Sequence, residues 1–327
     1  MTTQSAPVST PGITTFIDLP RGDLEHLKEG MTAICGVSYD LSCTSRIGSR
    51  FGPRAIRDSS GYYAGAFSRS DLVEITTGDR MSGARRSQIL DLGDFNAYPL
   101  DWPRTEKELR RSLYQVASTG ATPVVLGGDH FISYPLCLGY ADAVRERTGH
   151  GVGYVQLSSS LDLGEKDPVW GDVWRGATAR RVLDSGAVSP ANMVWIGVNG
   201  YLRREEWDFA QEREMSVFTL ADVRRRGLQE VVESAMQIAG EGCDSVYVSI
   251  DFDVMDGGYV AATADPCFDG LTNVELLKAV DILRRKKAGA LDLVGMNPTV
   301  NMVSATGPRL GAWIVIRFLA GEALAYP

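Results

Sequence analysis

Three apolar segments of this sequence end in side chains that could bind a metal ion or transfer a proton. The polar residues at these ends are Asp129 and His130 after TPVVLGG, Ser158, Ser160 and Asp162 after YVQL, and Asp251 and Asp253 after SVYVSI. Side chains two positions apart in an extended chain project to the same side, so the second and third sets are each expected to face one direction. Imidazole and carboxylate groups together suit manganese or a similar divalent ion.

Each of these residues is a weak signal when it is considered alone. An aspartate at the end of a strand commonly caps the next helix, and an isolated histidine is commonly a hydrogen-bonded structural residue. Gly127 and Gly128 strengthen the case for a site because two glycines let the backbone turn closely beneath it. A shared site also requires a fold that brings the three segment ends together.

Short apolar segments rich in β-branched residues recur along the chain, and amphipathic segments of helical length separate most of them. The eight predicted strands lie in TAICGVSY, QILDLG, TPVVLGG, GVGYVQL, NMVWIGV, SVFTL, SVYVSID and LDLVGM. This alternation predicts an α/β fold with a mostly parallel sheet covered by helices on both faces. Ligands of such sheets bind outside the carboxyl ends of the strands, where the polar residues stand.

The chain is expected to form one domain over residues 14–327, because no linker or repeat divides it after the N-terminus. Residues 1–13, MTTQSAPVSTPGI, have neither a basic start nor an apolar signal segment and are predicted to be a disordered tail. The five cysteines are odd in number and have no C-x-x-C spacing, which favours reduced thiols in a cytoplasmic protein.

The composition also restricts the classes of partner. A formal net charge of -8 and a pI near 5.1 argue against a nucleic-acid surface, which needs clustered Lys and Arg. No segment approaches the roughly 20 apolar residues of a membrane-spanning helix. A small-molecule ligand is therefore the expected partner, with neither nucleic acid nor membrane.

Several ordered motifs resemble the ureohydrolase family of arginases and agmatinases. They are GVSYDLSCTSRIGSRFGPRAIRDSS, ILDLGD, LGGDH, SIDFDVMD and GLTNVELL, and together they extend over nearly the whole chain after the tail. The resemblance implies a single three-layer αβα domain with an eight-stranded parallel sheet. It also implies a homo-oligomer, either a trimer or a hexamer.

Members of that family hydrolyse a guanidinium group with two manganese ions, which lower the pKa of a bridging water. Six ligands hold the two ions: the His of G-G-D-H, the three ligands of D-A-H-x-D, and both Asp of S-x-D-x-D. His130, Asp162, Asp251 and Asp253 match four of these ligands. Ser158 stands in place of a family Asp that bridges the metals, and Ser160 stands in place of a family His.

This comparison implies an incomplete metal site. The family balances two divalent ions against four carboxylates, whereas only three carboxylates remain here. Serine hydroxyls are poor replacements for carboxylate or imidazole ligands. We therefore expect at most one manganese-like ion, held by His130, Asp162 and Asp251 with Asp253 nearby, or no ion at all.

Two further departures concern the substrate. Arg175 stands where the family has a His in an S-H-G context, and an arginine there would favour an anionic or carbonyl-bearing substrate. The late family segment G-F-D-V-V-E carries a Glu that faces the substrate guanidinium. We place Val300 at that Glu and Asn297 at the preceding Asp, and valine offers a guanidinium no carboxylate. Asn297, Val300 and Asp253 are the predicted substrate-binding residues.

These observations favour a repurposed enzyme that acts on a small polar metabolite by C–N bond hydrolysis or related acid–base chemistry. One version keeps a single metal ion as a Lewis acid. Another uses Ser158 as a nucleophile activated by His130 and a carboxylate, although small polar filler is the favoured interpretation of the serines. The alternative is a non-catalytic ligand-binding protein or a subunit that partners an active ureohydrolase. An active arginase or agmatinase is the least favoured hypothesis.

Overall fold

The computed structural model describes residues 14–67, 71–300 and 305–320, and its main element is an eight-stranded parallel sheet. The strands are β1 (Thr32–Gly36), β2 (Leu72–Val73), β3 (Arg80–Met81), β4 (Ile89–Asp94), β5 (Thr122–Leu126), β6 (Gly151–Leu157), β7 (Met193–Val198), β8 (Ser216–Thr219), β9 (Cys243–Asp251) and β10 (Ala290–Val294). The order in the sheet is β4-β1-β5-β10-β9-β6-β7-β8, and every neighbouring pair is parallel. Strands β2 and β3 form a separate antiparallel pair.

The strands are apolar on both faces because helices cover both sides of the sheet. In β5, Val124 and Leu126 belong to one core cluster and Val125 belongs to the other. The helices are α1 (Gly52–Phe67), α2 (Gly83–Arg86), α3 (Trp102–Ser118), α4 (Ser133–Thr148), α5 (Thr178–Asp184), α6 (Arg204–Glu212), α7 (Leu220–Arg226), α8 (Leu228–Gly240), α9 (Asn273–Arg285) and α10 (Thr306–Leu319).

The helices form the two outer layers of a three-layer αβα domain. Residues of α7, α8, α9 and α10 pack in the first core cluster, together with Ile56 of α1. Residues of α3, α4, α5 and α6 pack in the second cluster. The predicted fold class and all eight predicted strands are confirmed. Within the described part of the chain, no helix is long and apolar enough to cross a bilayer.

The predicted tail at residues 1–13 lies outside the described residues, so the boundary at residue 14 stays a prediction. The first described element is a short 3-10 turn, Phe16–Asp18, whose Phe16 and Ile17 side chains are fully buried. The backbone N–H of Phe16 donates to Asp91 Oδ2 at 2.8 Å. These contacts hold the beginning of the described chain against the end of the sheet that contains β4.

The order of the central strands decides which loops can meet. Strands β5, β10, β9 and β6 are consecutive in the sheet and run in the same direction. Their carboxyl ends therefore bring together the loops that follow Leu126, Val294, Asp251 and Leu157. Those loops hold most of the candidate residues that the sequence singles out.

Candidate active site

The turn after β5 places His130 at the centre of the site. Gly128 is required there because a Cβ atom would lie 1.8 Å from the backbone oxygen of Tyr39. Asp129 accepts hydrogen bonds from the Ser42 backbone N–H at 3.0 Å and from the Phe131 backbone N–H at 3.1 Å. Asp129 thus fixes the turn, and the side chain of His130 is fully buried.

A chain of hydrogen bonds behind His130 determines which ring nitrogen has the proton. Ser249 Oγ donates to Asp292 Oδ1 at 2.6 Å, and Tyr247 donates to the other oxygen of that carboxylate at 2.6 Å. The single hydroxyl proton of Ser249 is therefore used, so Ser249 must accept from His130 Nε2, which lies 3.1 Å away. The network assigns the Nε2 proton to His130 and leaves Nδ1 to face the other side.

His130 Nδ1 faces two buried carboxylates. It lies 3.0 Å from Asp162 Oδ2 and 3.1 Å from Asp251 Oδ2. Neither Nδ1 nor Asp251 Oδ2 makes a hydrogen bond of acceptable angle, although both atoms are buried. Burial lowers the pKa of His130, but the two carboxylates outweigh it, and the pKa ends well above its ordinary value. A cation between these three atoms would therefore be stabilised, either a proton on Nδ1 or a metal ion.

The Ser-x-Ser-x-Asp segment brings its polar side chains together, as the spacing predicts, in the loop beyond the end of β6. Strand β6 ends at Leu157, and Asp162 has a φ of +52°, in the left-handed region that few non-glycine residues adopt. Ser160 Oγ donates to Asp162 Oδ1 at 2.8 Å. Gln156 Nε2 donates to Asp162 Oδ2 at 2.8 Å. These bonds orient the carboxylate towards His130.

Ser158 contacts an aspartate and not the histidine that the nucleophile hypothesis requires. Its hydroxyl donates to Asp253 Oδ1 at 3.0 Å, and the backbone N–H of Ser159 donates to the same oxygen at 3.0 Å. The ring nitrogens of His130 face Ser249, Asp162 and Asp251 instead. A carboxylate alone is a weak base for a serine, so this geometry does not support Ser158 as an activated nucleophile.

The two aspartates after β9 lie in one tight turn but have different environments. Asp251 Oδ1 accepts from the backbone N–H of Asp253 at 3.0 Å, which caps the 3-10 turn Phe252–Val254. Burial raises the pKa of Asp253, and the charge of Asp251 raises it further, whereas the guanidinium of Arg175 lowers it. The pKa of Asp251 is instead lowered, because the contact with His130 outweighs burial.

Arg175 reaches into the site, but its charge is directed at protein carboxylates. Its Nη2 lies 2.7 Å from Asp265 Oδ2, and its Nη1 lies 3.8 Å from Asp253 Oδ2. Burial lowers the pKa of Arg175, but the surrounding aspartates more than compensate, so the pKa ends above its ordinary value. The expectation that Arg175 binds an anionic substrate is therefore not supported, because its guanidinium already has anionic partners.

The cavity in front of these residues is small. It has a volume of about 10 Å³, and its wall includes His130, Arg175, Asp251, Asp265 and Gly295. That volume is about the minimum for one water molecule or ion. Gly295 has a φ of +73°, and a Cβ atom there would lie 2.0 Å from Asp251 Oδ1. Glycine at this position thus lets Asp251 keep its place.

The predicted substrate-binding residues are not in this cavity wall, which lacks Asn297, Val300 and Asp253. The Asn297 amide donates to the backbone oxygens of Arg46 and Ile47, and its Oδ1 accepts from Thr299. Its hydrogen bonds are used to hold the loop at residues 46–47. The Asn297 side chain is therefore used in hydrogen bonds within the protein. Within the described chain, Gly295 is the residue of this segment that lines the cavity.

The donor set around His130 Nδ1 comprises one imidazole and two carboxylates. Separations of 3.0 and 3.1 Å are those expected of ligands at right angles around an ion with bonds of about 2.1–2.2 Å. The second position of a pair would depend on Asp253 and the serines, whose oxygens are joined by hydrogen bonds. Among the residues described, no group of three or more His, Cys, Asp or Glu is arranged as a metal site.

A family model described as the arginase family matches residues 31–321. This chain belongs to the arginase family. It is 28% identical to guanidinopropionase of Pseudomonas aeruginosa over 312 residues, which are 94% of this chain and 91% of that protein. Members of the family are hydrolases, and the predicted ureohydrolase relationship is confirmed.

Two solved structures share the fold of this arginase-family chain. Proclavaminate amidino hydrolase from Streptomyces clavuligerus has a TM-score of 0.80 and 25% identity, over 94% of this chain and 96% of that one. Formiminoglutamase of Trypanosoma cruzi, in a crystal structure with Mn²⁺, has a TM-score of 0.76 and 22% identity, over 94% and 99%.

The structure corrects the position given to the family glutamate. The family segment G-F-D-V-V-E aligns without gaps with Ala290–Gly295, so Gly295 stands at the glutamate and Asp292 stands at the aspartate. The cavity wall agrees with this alignment, because it contains Gly295 and not Val300. The sequence already contains this alignment, because Ala290–Gly295 and the family segment share an Asp-x-Val pattern, and counting from that aspartate places Gly295 at the glutamate.

Proposed function

We propose that this arginase-family chain is a hydrolase that cleaves a C–N bond in a small polar metabolite with one divalent ion instead of a pair. The observation that supports the proposal is the convergence of His130 Nδ1, Asp162 Oδ2 and Asp251 Oδ2. Two of these three atoms are buried without a well-formed hydrogen bond, which is costly unless a cation is shared among them.

His130, Asp162 and Asp251 would hold the ion, which supplies Lewis-acid polarisation and lowers the pKa of water. Ser249 accepts the Nε2 proton of His130, so Nδ1 is free to act as a ligand. Gln156 and Ser160 hold the carboxylate of Asp162 in position. Hydrogen bonds of this kind typically determine the orientation of metal ligands.

Asp253 is the group that we propose for proton transfer. Ser158 and Ser159 donate to its Oδ1, which leaves Oδ2 to hold a proton. Burial and the neighbouring carboxylates raise its pKa to about 7, close to the value that favours general acid–base catalysis near neutral pH. Substrate binding would require the loop with Asp265 to move away from Arg175, because the cavity of about 10 Å³ is too small for a metabolite.

The first experiment measures bound metal. Purified protein should hold at most one manganese or similar ion per chain, and Asp251→Ala should lose it. Asp208→Ala is a matched control because Asp208 is half exposed on α6 and pairs only with Arg204 among the charged groups in the described structure. Two stoichiometric ions per wild-type chain would contradict the one-ion proposal.

The second experiment tests the substrate class. The named relatives act on guanidino and formimidoyl compounds, so a panel of amidino, formimidoyl and ureido compounds should be assayed for released urea or ammonia. We expect no urea from arginine, agmatine or guanidinobutyrate with added Mn²⁺, because Gly295 removes the carboxylate partner of a guanidinium. Clear turnover of any of these three would show that the chain is an ordinary ureohydrolase.

A non-catalytic role is the second candidate, and a specific contact favours it. The ion pair between Arg175 and Asp265 closes the cavity, which would suit a ligand-binding protein or a subunit that partners an active ureohydrolase. Absence of turnover across the panel, with bound metal, would favour this candidate. Light scattering would test the predicted homotrimer or homohexamer, and co-expression with an active relative would test a mixed ring.

A further inference from the structure

We propose that Arg175 is an internal cation that replaces the second divalent ion of the site, so that its guanidinium occupies a subsite for a small planar cation. The inference deepens the proposed function and rests on it in one respect, namely that a single metal ion supplies the other positive charges. It concerns a residue that the sequence comparison placed at a family histidine and expected to favour an anionic or carbonyl-bearing substrate.

The position of the guanidinium carries the first part of the argument. Arg175 lies between two carboxylates, with Nη2 2.7 Å from Asp265 Oδ2 and Nη1 3.8 Å from Asp253 Oδ2. By its place in the S-x-D-x-D motif, Asp253 is one of the two aspartates that would remain to hold a second ion. The cation that faces Asp253 in this structure is therefore a protein side chain.

Local contacts hold Arg175 in this position. Its backbone N–H donates to the Ser42 oxygen at 2.9 Å, and its Nε donates to Thr44 Oγ1 at 3.3 Å. The side chain is 18% exposed, so its charge is removed from most of the solvent. An arginine so placed is stable only if it compensates buried negative charge.

The charge count carries the second part. Asp162, Asp251 and Asp253 are each at most 2% exposed, and together with Asp265, the ion-pair partner of Arg175, they contribute up to four negative charges. One divalent ion and the guanidinium of Arg175 contribute three positive charges. Two divalent ions beside Arg175 would bring five positive charges to these four carboxylates, so the guanidinium takes up negative charge that a second ion would need.

Two measurable consequences follow. Removing the charge of Arg175 should strengthen binding of one Mn²⁺, because a fixed positive neighbour no longer repels it. It should also open a subsite between Asp253 and Asp265 for free guanidinium, which has the shape and charge of the group removed. Neither effect is expected if Arg175 only forms a structural ion pair with Asp265.

The experiment compares wild type, Arg175→Ala, Arg175→Lys and Arg110→Ala. Calorimetry with Mn²⁺ should give about tenfold tighter binding for Arg175→Ala and wild-type affinity for Arg175→Lys. In metal-free protein, guanidinium chloride at about 10 mM should raise the Tm of Arg175→Ala by a few degrees relative to potassium chloride, without raising that of wild type. Arg110→Ala removes the same charge at an exposed pair with Asp142 and should match wild type in both assays.

Each outcome decides a separate claim. If Arg175→Ala behaves like Arg110→Ala in both assays, or if wild type binds two Mn²⁺, the inference is refuted. If wild type binds no Mn²⁺ but guanidinium still stabilises Arg175→Ala, the metal proposal fails and the cation subsite stands. Circular dichroism checks folding, and Arg175→Gln, which is neutral but keeps amide donors, repeats the test if the alanine variant does not fold.

Discussion

The hydrogen bonds behind His130 give the sharpest prediction, which concerns Ser249→Ala. The substitution removes the acceptor of the His130 Nε2 proton, 3.1 Å away, and the donor to Asp292 Oδ1, 2.6 Å away. Loss of a hydrogen bond to a buried carboxylate costs about 1.5–3 kcal/mol, and an unpaired buried N–H costs about 1–3 kcal/mol. Because Tyr247 still donates to Asp292, we expect the lower part of the sum, about 3 kcal/mol of unfolding free energy.

The same substitution should weaken metal binding, because the imidazole loses the contact that sets its proton and its orientation. We expect Mn²⁺ affinity to fall about 10- to 100-fold by calorimetry. Urea unfolding followed by circular dichroism gives the stability. Ser133→Ala is the control, since Ser133 Oγ is 3.3 Å from Ser249 Oγ and its loss should cost less than about 1 kcal/mol.

A result at the level of the control would refute the reasoning. If Ser249→Ala loses less than about 1 kcal/mol and binds Mn²⁺ as wild type does, the proton on His130 is not set by this network. A double variant with Asp292→Asn gives a further check. The two changes should be clearly non-additive, because both residues belong to one chain of hydrogen bonds.

Three other predictions concern stability. Arg57→Ala should cost about 3–5 kcal/mol by urea unfolding because it leaves the fully buried Asp91 without its bidentate partner. Gly128→Ala should cost about 3 kcal/mol or more, since a Cβ atom would collide with the backbone of Tyr39. Burial raises the pKa of Glu206 from 4.5 to about 7, so the folded state of the wild type loses stability as pH rises through that range. Glu206→Gln does not titrate, so its free energy of unfolding relative to that of the wild type should be about 2 kcal/mol more favourable at pH 8 than at pH 5. Wild-type pH dependence across that interval in the glutamine variant would contradict the assignment.

The fold could be predicted from the sequence because the pattern of hydrophobic residues indicates which positions are buried. A strand such as TPVVL, apolar at every position from Pro123 to Leu126, is typical of the interior of a parallel sheet. The amphipathic segment from Asn273 is likewise confirmed as α9, and a Thr272–Glu275 capping box begins it. Both signals are local, so neither requires knowledge of the partners across the core.

The site could be predicted from the sequence only in part. His130, Asp162 and Asp251 were predicted to lie together, and the structure places them within 3.1 Å of the shared histidine nitrogen. Ser158, Ser160 and Asp162 lie on one side, as their spacing of two predicts, but they stand beyond the end of β6, and Asp162 has a positive φ that no spacing rule anticipates. Gly295 was missed because the family glutamate was placed at Val300, although the D-x-V pair shared with the family segment places Gly295 there.

The sequence by itself determined the family, the parallel sheet and the types of the residues at its carboxyl edge, because strand patterning and ordered motifs are properties of contiguous segments. Only the tertiary structure decided which atoms face one another. The proton on His130 depends on Ser249 and Asp292, and the environment of Asp253 depends on Arg175. These partners come from distant segments, and the energy of a buried charge depends on which groups surround it in space.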